Sequence, residues 1–178
     1  MPKENSSGLI IVAPHKKISR EVKLSDLETI KGLYLPLEML MNDLENSGAF
    51  SDVYAIAHQQ VEEKDPLRFF VINANNKEVI RSNDTWDLPD YIIINPIITR
   101  HTNIPVTKSE GCLSFPNFPN NDVDRWNKIE VEFYTINHEG TALVKHQAKC
   151  AGKLAQIFQH EIDHFNCEYV WKEFAIKK

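Results

Sequence analysis

Around Pro36 the chain takes up the rhythm of a helix. Leu37, Leu40, Met41 and Leu44 fall at i, i+3, i+4 and i+7, and Pro36 suits a first helical turn. Asn46-Ser47-Gly48 marks the end of that helix. Upstream, Leu9-Ile10-Ile11-Val12 is a short apolar run closed by Pro14, the pattern of a strand or an extended arm. The middle of the chain changes period. Residues 68–73 and 91–94 are compact apolar runs that predict strands, and Asn75-Asn76 predicts a hairpin turn. Between Lys128 and Ile136, Ile129, Val131 and Phe133 alternate with Glu130, Glu132 and Tyr134. That alternation predicts a half-buried antiparallel strand, turned by residues 137–140 into a partner beginning at Thr141-Ala142-Leu143-Val144. One helix follows over about residues 152–165, with Leu154, Ile157, Phe158, Ile162 and Phe165 on one broad arc. The sum is an α+β fold, small antiparallel sheets around a central helix.

Composition adds bounds rather than detail. A chain of 178 residues predicts one domain, here residues 9–178 behind a flexible polar start at residues 1–8. Hydrophobic residues at 42% and charged residues at 25% describe an ordinary globule. A net charge of −5 gives no reason to expect nucleic acid or an anionic membrane as a direct partner. No stretch approaches the ~20 apolar residues of a membrane span. The start has no signal-peptide pattern and is too short and Arg-poor for a clear transit peptide. Three cysteines, an odd number, argue against a disulfide framework and for a reducing compartment. The expected location is the cytoplasm, with an organelle left open. Cys150 and Cys167 read as small buried hydrophobes, whereas Cys112 stands in a distinctive word.

That word is Glu110-Gly111-Cys112-Leu113-Ser114, and a second is Gln159-His160-Glu161-Ile162-Asp163-His164. Residues four apart on a helix are separated by ~6 Å along the axis and ~40° in rotation. His160 and His164 therefore point the same way and can share one ion. Glu161 lies ~100° round from His160, out of ligating position yet near enough to take a proton from water. The H-E-x-x-H pattern alone also fits a surface helix that happens to carry two His and a Glu. However, Leu154, Ile157, Phe158 and Ile162 predict a buried helix, and burying unpaired imidazoles and a carboxylate would cost several kcal/mol. A metal ion removes that cost. Cys112 is the candidate third ligand; a thiolate suits Zn²⁺ or Fe²⁺ and leaves a fourth position open.

Taken together, the two words resemble the paired signature of peptide deformylases, metal hydrolases that remove the formyl group from new polypeptides. Asn95-Pro96, Val123-x-Arg125, Gly140 and Gly152 stand at matching places, so the resemblance spans roughly residues 9–172. It implies one divalent ion, Fe²⁺ or Zn²⁺ with Ni²⁺ or Co²⁺ able to stand in, held by Cys112, His160 and His164. It implies Glu161 as general base, with the Leu113 N–H and the Gln60 amide as oxyanion donors. Glu110 and Asp163 become supporting acids, with Arg125 a partner for one of them. The substrate would meet Tyr54, Ala55, Gly111, Lys108, Lys153, Gln156 and Ile157. The implied partner is an N-formylated peptide or a small formamide, with transient proximity to the ribosome.

The chain departs from the family where substrate should sit. The family's Gly-x-Gly-Leu-Ala-Ala-x-Gln aligns with Val53-Tyr54-Ala55-Ile56-Ala57-His58-Gln59-Gln60, so both glycines are gone. Added bulk predicts a reshaped cleft. His58 reads better as a core or rim histidine than as a catalytic one. Lys108, Lys153 and Gln156 replace apolar walls of the methionine pocket, which points to polar or acidic contacts unless the lysines snorkel outward. Asn117-Phe118-Pro119-Asn120 stands where the family has a substrate-binding arginine. The leading expectation is formate release from N-formylmethionyl peptides. Its rivals are hydrolysis of a more polar amide or formamide, H-E-x-x-H proteolysis, disfavoured by an upstream cysteine ligand, and metal binding without turnover.

Overall fold

The alternation between Lys128 and Ile136 forms the middle of a sheet. In the computed structural model, which describes residues 6–48, 50, 52–76, 91–172 and 175, this strand is β6 (Lys128–Ile136). Its inward residues Ile129, Val131, Phe133 and Thr135 are buried. It pairs antiparallel with β3 (Ile92–His101) on one side and β7 (Leu143–Ala151) on the other. β2 (Phe69–Ile72) and β1 (Ala55–Ala57) extend the sheet to the order β1-β2-β3-β6-β7. A separate two-stranded sheet joins β4 (Pro105–Glu110) to β5 (Asn121–Trp126).

Two helices cover the larger sheet. α2 (Gly152–Asn166) packs Leu154, Ile157, Phe158 and Phe165 against Phe70, Ile72, Ile93, Val131 and Phe133. α1 (Leu27–Asn46) packs Ile30, Leu37, Leu40 and Met41 in a second cluster with Ile56, Phe69, Val71, Ile92 and Ile94. Consecutive residues of β2 thus face different clusters, which is why all four are apolar and buried. Full burial of a Phe such as Phe158 contributes ~1.5–3 kcal/mol. Among the described residues no helix is long and apolar enough to cross a membrane.

Several limits differ from those read in the sequence. α1 begins at Leu27, so Pro36 lies inside it rather than opening it. β3 runs on past Ile94 through Pro96 to His101. Asn95 takes φ 48, its Oδ1 accepts the Val22 N–H at 2.9 Å, and the register with β6 shifts between Ile94 and Ile97. That bulge admits a proline that could not donate to a regular ladder. Thr141 and Ala142 belong to the turn, where Asn137 Oδ1 accepts both their N–H groups at 2.8 and 2.9 Å. The run at residues 9–12 is an extended arm: Val12 donates its N–H to Gln60 O at 2.8 Å, and Ile10 is 74% exposed. Asn76 closes a turn on Asn73 O at 3.2 Å; the rest of the expected hairpin, like residues 1–5 of the polar start, lies outside the described residues.

The β7–α2 corner places the functional helix. Gly152 sits there at φ +58 and donates its N–H to Asn127 O at 2.9 Å, a conformation that strains other L residues. At the far end Cys167 takes φ 54, and Glu168 closes on Asp163 O at 2.9 Å. This is a Schellman closure made without glycine.

Candidate metal centre and active site

β4 leads into a tight turn that carries Cys112. Gly111 lies close under the Asn120 side chain, where an added Cβ would come within 2.7 Å of Asn120 Oδ1 and make that side chain move. Phe115 then closes the turn by donating its N–H to Cys112 O at 2.9 Å. One turn of α2 separates His160 from His164, and the ligating atoms of these two and Cys112 all lie within 4.8 Å of one another. Cys112 Sγ is 3.2 Å from His164 Nε2. A tetrahedral ion at ~2.3 Å from sulfur and ~2.0–2.1 Å from nitrogen would set that separation near ~3.5 Å. The donor set therefore fits one divalent ion.

A buried ion-pair network orients the ligands. His160 Nδ1 bonds to Glu110 Oε2 at 2.9 Å, which leaves Nε2 for an ion. Arg125 grips Glu110 with both teeth of its fork, Nε to Oε1 at 2.8 Å and Nη2 to Oε2 at 2.7 Å. Its remaining Nη1 reaches Asp163 Oδ2 at 2.6 Å. Arg125 thus pairs with both supporting acids, where the sequence left the choice open. Burial alone would raise the Glu110 pKa, but the bonds from Arg125 and His160 hold it at about 2. Burial raises Asp163 despite Arg125. His160 would be lowered by burial, yet its bonds to Cys112 and Glu110 push it well above the usual value. Burial and the neighbouring His160 hold His164 well below its usual value, which keeps it in the neutral, ligating form.

Beside the ligands lies a carboxylate with one oxygen unpartnered among the described residues. Glu161 is 4% exposed, and its Oε2 finds no hydrogen bond among the described residues. Burial pushes its pKa up to about 7. Gln60 closes the other side. Its Oε1 accepts the Ala57 N–H at 2.9 Å, which turns Nε2 towards Ser114 Oγ at 3.3 Å and Cys112 Sγ at 3.8 Å. His58, two residues earlier, is a fold residue. Its Nδ1 accepts the Leu67 N–H at 2.9 Å and its ring stacks on Phe69 at 4.9 Å.

A cleft of about 500 Å³ opens over this centre. Tyr54, Ala55, Gln60, Gly111, Cys112, Leu113, Lys153, Gln156, Ile157, His160 and Glu161 all line it. His164 lies behind, near Tyr169 and Trp171. Lys108 does not line the cleft. It pairs with Val123 in the middle of β4–β5, and only Ser109 and Glu110 of that strand reach the opening. Strand register depends on a distant partner, so counting back from Cys112 could not place it. The sequence reading also missed Phe50, Asp52, Phe115 and Phe118 on the rim and Tyr169 behind the ligands, whose ring centroid is 5.5 Å from that of His164. Only Phe118 carried a signal, as part of the segment that replaces the family's arginine.

A thiol from a turn and two imidazoles from one H-E-x-x-H helix form a group that could hold a single ion, the donor pattern of metalloproteins with three protein ligands. Comparison with known proteins narrows this. The chain belongs to the polypeptide deformylase family, whose model matches residues 10–177. Peptide deformylase of Opitutus terrae is 33% identical over 144 residues, 74% of this chain and 66% of that protein. That of Thermus thermophilus is 37% identical over 76 residues, so the match covers 43% of this chain and 36% of the relative. The crystal structure of peptide deformylase from Ehrlichia chaffeensis superposes with a TM-score of 0.63 at 27% identity, covering 94% of this chain and 92% of that one.

Proposed function

We propose that the protein hydrolyses N-formyl groups and releases formate, with N-formylmethionyl peptides as the default substrate. One observation carries the reading: a buried, unpartnered Glu161 oxygen beside the Cys112–His160–His164 triangle, in a cleft that Gln60 also enters. A bound Fe²⁺ or Zn²⁺ supplies a lowered pKa for a neighbouring water and a pull on the carbonyl oxygen. Glu161 accepts a proton from the water as its oxygen attacks the formyl carbon. As the C–N bond breaks, Glu161 returns that proton to the departing amine, and formate leaves. The Gln60 Nε2 and the Leu113 N–H donate to the carbonyl oxygen as negative charge grows on it. Glu110, held by Arg125, fixes the orientation of the His160 ring. Family membership supports the substrate class; work on peptides in the cytoplasm, in passing contact with the ribosome, belongs to the same reading.

The test is formate release from formyl-Met-Ala by metal-loaded protein. Glu161→Gln should bind the ion with unchanged stoichiometry and lose about 10²–10⁴-fold in turnover. Wild-type rates from a metal-replete variant would remove Glu161 from the reaction.

A further inference from the structure

One wall of the cleft is built from rings. Two successive turns follow Cys112. Phe115 donates its N–H to Cys112 O at 2.9 Å, and Phe118 donates its own to Phe115 O at 3.1 Å. Each such turn brings its ends within about 7 Å, so the segment winds along the opening and does not leave it. Phe115, Pro116 and Phe118 all line the cleft. The rings form a continuous series that starts at a metal ligand. His164 meets Tyr169 at 5.5 Å between centroids, and Tyr169 meets Phe115 at 5.5 Å. Phe115 then meets Phe118 edge-on, at 5.8 Å and 87°. Trp171 closes the group, 4.6 Å from Phe115 and 5.8 Å from Phe118. Phe115, Tyr169 and Trp171 are buried, whereas Phe118 keeps 40% of its surface exposed. Its ring is held by two neighbours before any substrate arrives, so little ordering is lost when a further side chain covers it. Asp52 also lines the cleft, so the opening is not wholly apolar.

We infer that this site, read as a deformylase, also selects the residue that follows formylmethionine, preferring a large apolar side chain and an aromatic one above all, and that Phe118 sets this preference. The formyl carbon must sit at the ion, beside Cys112. In an extended peptide the second Cα lies about 6 Å from the formyl carbon. That is inside the span of the two turns from Cys112 to Phe118. Successive side chains of an extended chain point to opposite sides, so the second one does not compete with the methionine for one wall. A phenylalanine there adds a ring to an existing series, and ring pairs gain beyond the area they bury. A leucine gains from buried area alone, and an alanine is too short to cover the ring. A glutamate brings its charge to an apolar face and into the cleft that Asp52 already lines.

The experiment measures kcat and KM for formate release from formyl-Met-Phe-Ala, formyl-Met-Leu-Ala, formyl-Met-Ala-Ala and formyl-Met-Glu-Ala. Metal-loaded wild type, Phe118→Ala and Phe118→Tyr are compared. Wild type should favour Phe over Ala by about fivefold or more in kcat/KM, with Leu between them and Glu last. The difference should lie in KM, because the second side chain makes the same contact before and during the reaction. Phe118→Ala should bring the Phe-to-Ala ratio to within about twofold, and Phe118→Tyr should keep it near the wild-type value. Each ratio is taken within one variant, so a loss of folded protein cancels. A wild type indifferent to the second residue, or a preference that Phe118→Ala leaves unmoved, overturns the inference and leaves the deformylase reading intact. Release from none of the four peptides overturns that reading, and the inference with it.

Discussion

Buried at 5% exposure, His58 gives up its proton affinity to the fold. Burial lowers its pKa from 6.5 to about 4, although Glu62 and Asp65 pull the other way. Below pH 6.5 the unfolded chain takes up a proton that the folded protein refuses until about pH 4. The stability that depends on a neutral His58 is therefore complete above 6.5 and is lost as pH falls towards 4. At 1.36 kcal/mol per unit the full loss is about 3 kcal/mol. His58→Gln has no such proton to accept. Urea unfolding from pH 7 to pH 4 should show wild type losing about 3 kcal/mol more than the variant. Parallel curves would mean that the ring is already solvated in the folded state.

Among elements, Arg125 is the joint between β5, β4 and α2, since it bonds Glu110 on one strand and Asp163 on the helix. Removing one partner of such a buried pair leaves the others uncompensated and costs about 3–5 kcal/mol. Arg125→Met should therefore lose that much stability in denaturant unfolding. It should also weaken metal binding by about 10–100-fold, because Glu110 would no longer be fixed against His160. A metal affinity unchanged in the variant would show that Glu110 orients the ring unaided. The Arg125 contacts also mark the limit of what the sequence reveals. The ligands were legible because i and i+4 on one helix are local facts. β6 was legible because its alternation is regular, and α2 because its apolar arc is. The strands around Arg125 were not: β4 and β5 are short and polar, and their register lies in each other rather than in a pattern of their own. That is also why Lys108 was misplaced. Pro36 hid the first half of α1, although Leu27, Ile30 and Leu37 already carry its spacing. Pro96 hid most of β3, because the bulge that tolerates it depends on Val22, far away in the chain.

Across the whole molecule, the arm before α1 and the segment after α2 meet behind the site. The arm at residues 9–15 touches the turn that carries Gln60: Val12 donates to Gln60 O at 2.8 Å, and His15 Nε2 lies 3.2 Å from Gln59 O. The segment after α2 closes on the same arm, where the Tyr169 hydroxyl donates to His15 O at 2.8 Å. Tyr169 in turn sets its ring against His164. Gln60 and His164, the proposed oxyanion donor and metal ligand, are thus braced by one strap, although neither belongs to it. Among the described residues, deleting residues 1–12 removes the Val12 hydrogen bond to this turn, worth about 1 kcal/mol net, together with the exposed Ser6 bonds to Asp43 and the packing of half-buried Leu9 and Ile11. The fold and its ion should survive that loss, since no ligand is touched. Turnover should not, because a misplacement of ~1 Å at a positioning group can cost up to about 10²-fold. We expect kcat for formate release to fall about tenfold, with metal stoichiometry and KM little changed. If the truncated protein turns over at the full rate, the Ala57 N–H bond to Gln60 Oε1 is enough to hold the donor in place, and the arm is a passenger.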